Sequence, residues 1–443
     1  MVAGAGAWLA ISRAGGAKPA RARPAGSVPR VNAAAFAGHG ELAFVSRGTL
    51  WVLDGATRAL RRVATPGMTP SDPVFSPDGR WLAFLATKPG AALDALWVAG
   101  GDGSGAHQIR GLALAGLVGW SPAQDVLAVT AGPRMNRVPY GAPTTVRLVW
   151  PSGPVRTVVR AAGIQSAVWS PGGTGIAVAS LHWPSATTLA SYRLTGEPPT
   201  VWLRLSARHG ALDGMREISF DPVAWRPHLG IGFWARWNCD SCNADGDPFY
   251  VISSPGARPR LLGTTLADSA LDQVAAASGG RLALVAEVPG PGTGGRLIWQ
   301  GRRVKECAPA AGACATLPSR PAAVTLDPAW SPGGTRLAFV QAPSRTSSAF
   351  PQHAVTAWYD AHQLWVYDPA TRAARKLDAR GATAPAWSAD GQSLLYIARD
   401  GIWLLPRLTG RAVRIATPLF VPGNWPTYYG QVDWTPQFAW WSG

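Results

Sequence analysis

The chain has 443 residues, of which 47% are hydrophobic and 15% are charged, a balance that excludes an intrinsically disordered protein. Its formal net charge is +16, yet Lys and Arg never run beyond adjacent pairs, and no nucleic-acid-binding module is recognisable. We therefore expect no specific nucleic-acid partner, only a general attraction to anionic envelope surfaces.

The N-terminal segment, residues 1–31, differs from the rest of the chain. It begins with the apolar run MVAGAGAWLAI and continues with SRAGGAKPARARPAGSVPR, which is basic, Pro-rich and free of acids. The apolar run is too short to span a bilayer and lacks the basic leader of a signal peptide, but it resembles the later part of a signal peptide or membrane anchor. We expect an exported protein, periplasmic, at the cell surface or membrane-anchored, with residues 32–443 forming a single domain.

One phrase recurs along the remaining chain. It reads PVFSPDGRWLAF at 73–84, AVWSPGGTGIAV at 167–178, PAWSPGGTRLAF at 328–339 and PAWSADGQSLLY at 385–396. Each copy has an apolar strand ending in an aromatic residue, a turn built on Ser-Pro or Gly, and a second apolar strand. The aromatic position is occupied in turn by Phe36, Phe75, Trp120, Trp169, Trp225, Ala276, Trp330, Trp387 and Trp434.

Two more strands follow each copy of the phrase. We assign the third strands to residues 49–54, 95–100, 146–150, 200–205, 248–253, 296–300, 363–368 and 401–405. A fourth, more polar run follows, as in ALRRVAT (59–65) and AARKLDA (373–379). Four strands per repeat, with almost no helical periodicity, predict an all-β propeller of four-stranded blades.

The phrase resembles the WD40-like repeat of TolB-type proteins, whose blades carry W-S-P-D-G-x-x-(L/I)-A-F before an (I/L)-(Y/W)-V-(M/L/Y)-D strand. VFSPDGRWLAF (74–84), and AWSPGGTRLAF (329–339) with LWVYD (364–368), are the best copies. Eight units can be counted, with QVDWTPQFAWW (431–441) joining the strands near 32–46 to close the ring. TolB-like propellers usually have six blades, so six and seven remain alternatives to eight.

The four cysteines form two local pairs, Cys239 with Cys242 and Cys307 with Cys314. We favour two short disulfides in an oxidising compartment, with a zinc site as the alternative.

The loop around the first pair suggests a weak calcium-binding candidate in Asp240, Asp245 and Asp247, against the alternative of a polar turn. No cofactor is expected.

Function is expected where the repeat is interrupted, because propellers bind through their loops. The interrupting segments 234–247, 343–363 and 421–431 carry aromatic residues and Arg, the composition of binding hot spots. The candidate binding residues are Arg236, Trp237, Phe350, Trp358, Tyr359, Trp425, Tyr428 and Tyr429. Packing over the ends of the propeller is the alternative for these side chains.

The TolB resemblance implies a monomeric scaffold that docks other envelope proteins. The alternative is a carbohydrate-binding or carbohydrate-active propeller, with aromatic rings stacking on a glycan and a pair of carboxylates for hydrolysis. The sequence has neither G-x-S-x-G nor H-E-x-x-H, so we expect no enzyme.

Overall fold

The computed structural model describes residues 27–91, 94–132, 143–182, 186–206, 212, 218–237, 247–265, 274–287, 301–308, 314–345, 352–419, 432 and 434–443. Its strands form eight antiparallel sheets, seven with four strands and one with five. The protein is an all-β, eight-bladed β-propeller, which confirms the predicted fold class and blade number. In each blade the second strand is almost wholly buried, because the sheet packs on both faces.

One compact unit contains blades 3, 4 and 5, within residues 108–267. Blade 3 consists of β9 (Leu114–Trp120), β10 (Leu127–Ala131), β11 (Pro143–Val149) and β12 (Val155–Ala162). Blade 4 consists of β13 (Ile164–Trp169), β14 (Gly175–His182), β15 (Ala186–Arg193) and β16 (Thr200–Ser206). Blade 5 consists of β17 (Ile218–Arg226), β18 (Gly230–Trp237), β19 (Asp247–Ile252) and β20 (Arg260–Thr265).

A second compact unit contains blades 1, 6, 7 and 8 and most of blade 2. Blade 1 consists of β33 (Phe438–Trp441), β2 (Glu41–Ser46), β3 (Thr49–Asp54) and β4 (Leu60–Arg62), and blade 2 of β5 (Thr69–Phe75), β6 (Trp81–Thr87), β7 (Asp94–Gly100) and β8 (His107–Gln108). Blade 6 consists of β21 (Val274–Ala276), β22 (Leu282–Glu287), β23 (Arg302–Cys307) and β24 (Cys314–Thr316), and blade 7 of β25 (Ala323–Trp330), β26 (Leu337–Pro343), β27 (Gln363–Asp368) and β28 (Ala373–Arg380). Blade 8 consists of β29 (Thr383–Trp387), β30 (Leu394–Ala398), β31 (Gly401–Leu405) and β32 (Val413–Thr417), with β1 (Arg30–Val31) added outside β32.

The turn between the first and second strands explains why the phrase is repeated. The Ser that follows the aromatic residue accepts a backbone hydrogen bond from the Gly three residues later, as Ser76 does from Gly79 at 2.9 Å. Its hydroxyl oxygen accepts a second bond from the backbone N–H five residues later, as from Trp81 at 3.0 Å. Gly79 has φ +71°, a conformation that glycine adopts without the penalty of a Cβ. The same bonds recur at Ser170, Ser331 and Ser388.

The two ends of the chain complete blade 1, as predicted. Glu41 in β2 pairs with Trp441 in β33, so the last strand of the chain becomes the first strand of the blade. The aromatic register is corrected, however. Trp440, which pairs with Leu42 as Trp330 pairs with Leu337, occupies the repeat position, whereas Trp434 precedes a short 3-10 helix (Thr435–Gln437). The repeat phrase is thus divided between the two termini, which hid the correct tryptophan from sequence alignment.

Two of the predicted third strands are also corrected. In blade 4 the third strand is β15, and the predicted strand at 200–205 is the fourth, with the indole of Trp202 donating to Ser191 Oγ at 3.0 Å. In blade 6 the third strand is β23, whereas residues 296–300 lie outside the described ranges. An apolar run containing Trp predicts a third strand at both places, whereas the actual third strands β15 (ATTLASYR) and β23 (RRVKEC) are more polar.

Candidate functional site

A nine-residue helix, α1 (Gln352–Asp360), lies in the interruption between β26 and β27. Sequence reasoning predicted an interruption here but no helix. Within the described part of the chain, no helix is long and apolar enough to cross a membrane. In a chain of strands and turns, this helix is a distinct element on the side of blade 7 where its second and third strands connect.

The predicted binding residues Trp358 and Tyr359 anchor this helix. They are 1% and 8% exposed, and their rings contact each other edge to face at 5.1 Å. The indole N–H of Trp358 donates to the carbonyl oxygen of Pro343 at the end of β26, at 2.8 Å. Burial favours the packing alternative for both side chains, so any ligand would meet other residues of α1.

His362 completes the cluster beneath the helix. Its ring lies 4.4 Å from the Trp358 ring and 4.8 Å from the Tyr359 ring, and its Nδ1 lies 3.2 Å from the carbonyl oxygen of Ala382. Burial lowers the pKa of His362 to about 3, so the ring is neutral and Nδ1–H is the donor. At the end of α1, Asp360 forms an exposed ion pair with Arg399 of blade 8, at 3.1 Å.

The outward side of α1 is small and polar. Thr356 and Ala357 are exposed, on the side of the helix that faces away from the buried Val355, Trp358 and Tyr359. A helix that is fixed by three aromatic rings on one side presents the other side in a defined position. The arrangement suits a contact surface better than a ligand pocket.

The other predicted site residues are less informative. Arg236 is half-buried and forms an ion pair with Asp221 across β17 and β18, at 2.7 Å, and its guanidinium carbon lies 5.6 Å from the centre of the Trp234 ring. Trp237 is the last residue of β18. The remaining candidates, Phe350, Trp425, Tyr428 and Tyr429, lie outside the described residues.

The calcium and disulfide predictions are resolved only in part. Cys307 and Cys314 form a disulfide that joins β23 to β24, with Cα atoms 4.1 Å apart, which confirms this pair. The other predicted pair, Cys239 and Cys242, and the calcium candidates Asp240 and Asp245 lie outside the described residues. Asp247 is 1% exposed at the start of β19, and no metal-binding group of three or more His, Cys, Asp or Glu occurs within the described ranges.

A group of acidic side chains beside the ring closure was not predicted. It consists of Glu41, Asp54 and Asp102, which we call the closure acids. Glu41 and Asp54 are directly opposite each other on β2 and β3, and Asp102 lies in the turn after β7 and pairs with Arg61 at 3.2 Å. No motif could have revealed this group, because Asp102 belongs to another blade and only blade packing brings it to Glu41 and Asp54, which face each other within one hairpin.

Burial, followed by repulsion from Asp54 and Asp102, raises the pKa of Glu41 to about 7. Its Oε2 atom is buried without a hydrogen-bond partner among the described residues. By contrast, hydrogen bonds from Thr57 and Ala56 outweigh the effect of burial and lower the pKa of Asp54. A carboxyl group with a pKa near neutral can take up or release a proton at physiological pH.

Replacing Glu41 by glutamine should stabilise the protein at pH 8 and leave it little changed at pH 4.5. The folded state binds the Glu41 proton more tightly than the unfolded state, so the wild type loses stability as the pH rises from 4.5 through 7. Glutamine is neutral at every pH and escapes this loss. The thermal midpoints of both proteins at pH 4.5 and pH 8 measure the effect, with Glu197→Gln, on the exposed Arg193–Glu197 pair, as control. An equal difference at both pH values would contradict the prediction.

Several solved structures are similar to this chain, at low sequence identity. No protein-family model and no curated protein matches the sequence. One similar solved structure is a prolyl endopeptidase, with 14% sequence identity and a TM-score of 0.47; the match covers 84% of this chain and 54% of that chain. Another is an oligogalacturonate lyase in complex with manganese, with 14% identity and a TM-score of 0.47; the match covers 89% of each chain. A putative TolB from Agrobacterium tumefaciens is also similar, with 16% sequence identity and a TM-score of 0.36; the match covers 54% of this chain and 80% of that chain. The chain spans about half the length of the prolyl endopeptidase. The resemblance to TolB-like propellers is confirmed as a likeness of fold.

These comparisons correct the prediction that the protein is not an enzyme. Similar folds occur in a prolyl endopeptidase, a lyase and an acylaminoacyl peptidase. The prediction relied on the absence of two sequence motifs, which tests for only two kinds of catalytic site. A propeller blade can contribute functional side chains from separate strands and turns without any local motif.

Proposed function

We propose that this TolB-like, eight-bladed propeller acts outside the cytoplasm and binds an envelope protein through the outward side of α1. The observation that carries the proposal is the helix itself. Its buried side is fixed by Trp358, Tyr359 and His362, while Thr356 and Ala357 face outward. Since loops on a rigid scaffold commonly carry binding function, an anchored helix within an interruption of the repeat supports a contact surface there.

The disulfide supports the proposed location. Cys307 is buried and bonded to Cys314 across adjacent strands. Structural disulfides persist in oxidising compartments and are rare in the cytosol. The apolar and basic composition of residues 1–31 is consistent with an exported or membrane-tethered protein.

Replacing Ala357 by arginine should strongly reduce capture of the partner without unfolding the protein. Ala357 is exposed, so the larger side chain fits into solvent but obstructs a protein that packs on the helix. We expect the yield of the cross-linked partner from intact envelopes to fall on the order of tenfold, as for a change at the centre of an interface. The matched control is Ala370→Arg, at an exposed alanine in the β27–β28 turn, at the other end of the blade's third strand.

The two variants separate the possible outcomes. The same protein must be captured by the wild type and by Ala370→Arg, and lost with Ala357→Arg, while all three keep the same thermal midpoint. Retention of that partner by Ala357→Arg would place binding elsewhere on the propeller and overturn the proposal. A glycan array probed with the same proteins tests the carbohydrate alternative, because binding of a defined glycan that Ala357→Arg leaves intact would favour that alternative.

A further inference from the structure

Positive charge is concentrated on the outer strands of blades 7 and 8. We call this surface the basic edge and define it by Arg30, Arg375, Lys376, Arg380, Arg411 and Arg414. All six side chains are exposed. One acid, Asp378, lies among them on β28. The scattered arginines of the sequence are therefore brought together by the position of the fourth strand in successive blades.

The basic edge is continuous from blade 7 to blade 8. The guanidinium of Arg375 on β28 donates to the carbonyl oxygen of Leu408, in the connection between β31 and β32, at 3.2 Å. Arg411 ends that connection, and Arg414 follows on β32. The Arg414 guanidinium carbon lies 5.9 Å from the centre of the Trp403 ring. The charged group is thus held at the outer edge of the blade by packing of its side chain.

These charges are not neutralised by neighbouring carboxylates. Among the described residues, the observed ion pairs involve Arg61, Arg80, Arg193, Arg236, Arg281 and Arg399, and none includes a member of the basic edge. Like charges that are held together without counter-charges repel one another, which lowers the stability of the folded chain. Their concentration on one surface therefore indicates an anionic partner.

Protection of a sheet edge against pairing with another chain does not account for all six residues of the basic edge. Lys and Arg on an edge strand prevent it from pairing with another chain. That purpose fits β28, but β32 is already covered by β1, through the pairs Arg30–Thr417 and Val31–Ala416. Arg414 lies on β32 and Arg411 lies just before it. The outer edge of this strand already pairs in part with β1, so protection of the edge does not explain these two arginines.

The N-terminal segment indicates what the partner is. The chain enters the propeller at β1, on the basic edge itself. The preceding residues carry Arg13, Lys18, Arg21 and Arg23 without any acid, and the first eleven residues are apolar. A segment of this composition is suited to a membrane surface, where basic side chains attract anionic lipids. An N-terminus held at a bilayer would bring the basic edge close to the lipid headgroups.

We propose that the basic edge binds the headgroups of anionic phospholipids, so that the propeller lies with the outer strands of blades 7 and 8 against a membrane. Each Lys or Arg near such a surface strengthens the attraction to anionic lipids, and the attraction decreases with salt. This proposal is independent of the protein contact at α1. An attached propeller would leave its loop faces available to other proteins.

Vesicle co-sedimentation of the full chain tests the proposal. We expect binding to vesicles of phosphatidylcholine and phosphatidylglycerol at low salt, and much weaker binding at high salt or to phosphatidylcholine alone. The triple variant Arg375→Gln, Lys376→Gln, Arg380→Gln should weaken binding to the anionic vesicles on the order of 100-fold. The charge-matched control removes three exposed arginines from blades 3 and 4, as Arg156→Gln, Arg160→Gln, Arg204→Gln, and should retain most of the affinity.

Each alternative outcome would overturn the proposal. Equal losses in the two triple variants would mean that net charge alone, and not this edge, drives binding. Equal binding to neutral vesicles would assign attachment to the apolar N-terminal residues. Binding to heparin with no binding to vesicles would point to a soluble polyanion instead of a membrane. Thermal melts of all three proteins should agree within a few degrees, since the replaced side chains are exposed.

Discussion

Replacing Gly40 by alanine is expected to destabilise the protein by roughly 2–5 kcal/mol and to release the closing strand of blade 1. A Cβ at Gly40 would lie 2.1 Å from the carbonyl oxygen of Trp441 and 2.7 Å from the Cα of Ser442. Both contacts are with backbone, so no side chain can rotate away to relieve them. The residue also has φ +78°, which adds the cost of a left-handed conformation. Chemical unfolding measures the loss of stability, and hydrogen exchange at residues 438–441 reports the release of β33.

Gly38→Ala is the matched control. Gly38 has φ +80°, almost the same conformation as Gly40, but a Cβ there meets no atom within 4 Å. This variant should lose only about 1–2 kcal/mol, the cost of placing alanine in the left-handed region. The difference between the two variants isolates the contact with the closing strand. Equal destabilisation, without faster exchange in β33 for Gly40→Ala, would show that closure of the ring does not depend on this close approach.

Acidification is expected to destabilise the protein through His362. Burial lowers the pKa of this ring to about 3 in the folded state, whereas in the unfolded chain the pKa is close to its ordinary value of 6.5. As the pH falls below 6.5, the unfolded state takes up a proton that the folded state does not. The free energy of unfolding therefore falls by about 1.4 kcal/mol per pH unit until about pH 3, a loss on the order of 5 kcal/mol from this group.

Replacing His362 by glutamine should remove this part of the pH dependence. The glutamine amide can donate to the carbonyl oxygen of Ala382, as the imidazole does, but it does not titrate. Urea unfolding at pH 7, 5.5 and 4.5 compares the slopes of wild type and variant, with the exposed His228→Asn as control. Wild type and His228→Asn should share the steeper slope. If His362→Gln kept that slope as well, acid sensitivity would come from other groups.

The propeller could be predicted because each blade carries its own local signals. In PAWSPGGTRLAF (328–339), Trp330 ends β25, Ser331 and Gly334 close the turn, and Leu337–Phe339 begin β26. These interactions join residues a few positions apart, so they leave a pattern in the sequence. Repetition of the pattern then determined the number of blades, and its partial copies at the two ends predicted the closure.

The predictions from sequence were wrong where packing between elements overrides the local pattern. The third strand of blade 4 has polar residues because Ser191 accepts the indole N–H of Trp202, an interaction invisible before the strands are paired. Helix α1 is short and is stabilised by contacts of Trp358 with the Pro343 carbonyl and the His362 ring, which the local sequence does not show. Trp358 and Tyr359 were expected in a loop, and only the helix shows that they are buried.

The sequence by itself determined the repeat and the all-β class, and it favoured eight blades and an oxidised Cys307–Cys314 pair, because turns, strand alternation and a short disulfide depend on near neighbours. Only the tertiary structure decided which side chains meet. It brought Asp102 close enough to Glu41 to repel its charge, and it gathered Arg30, Arg375 and Arg414 on one edge. Since these contacts join residues far apart in the chain, their energies depend on how blades pack, and no local motif records them.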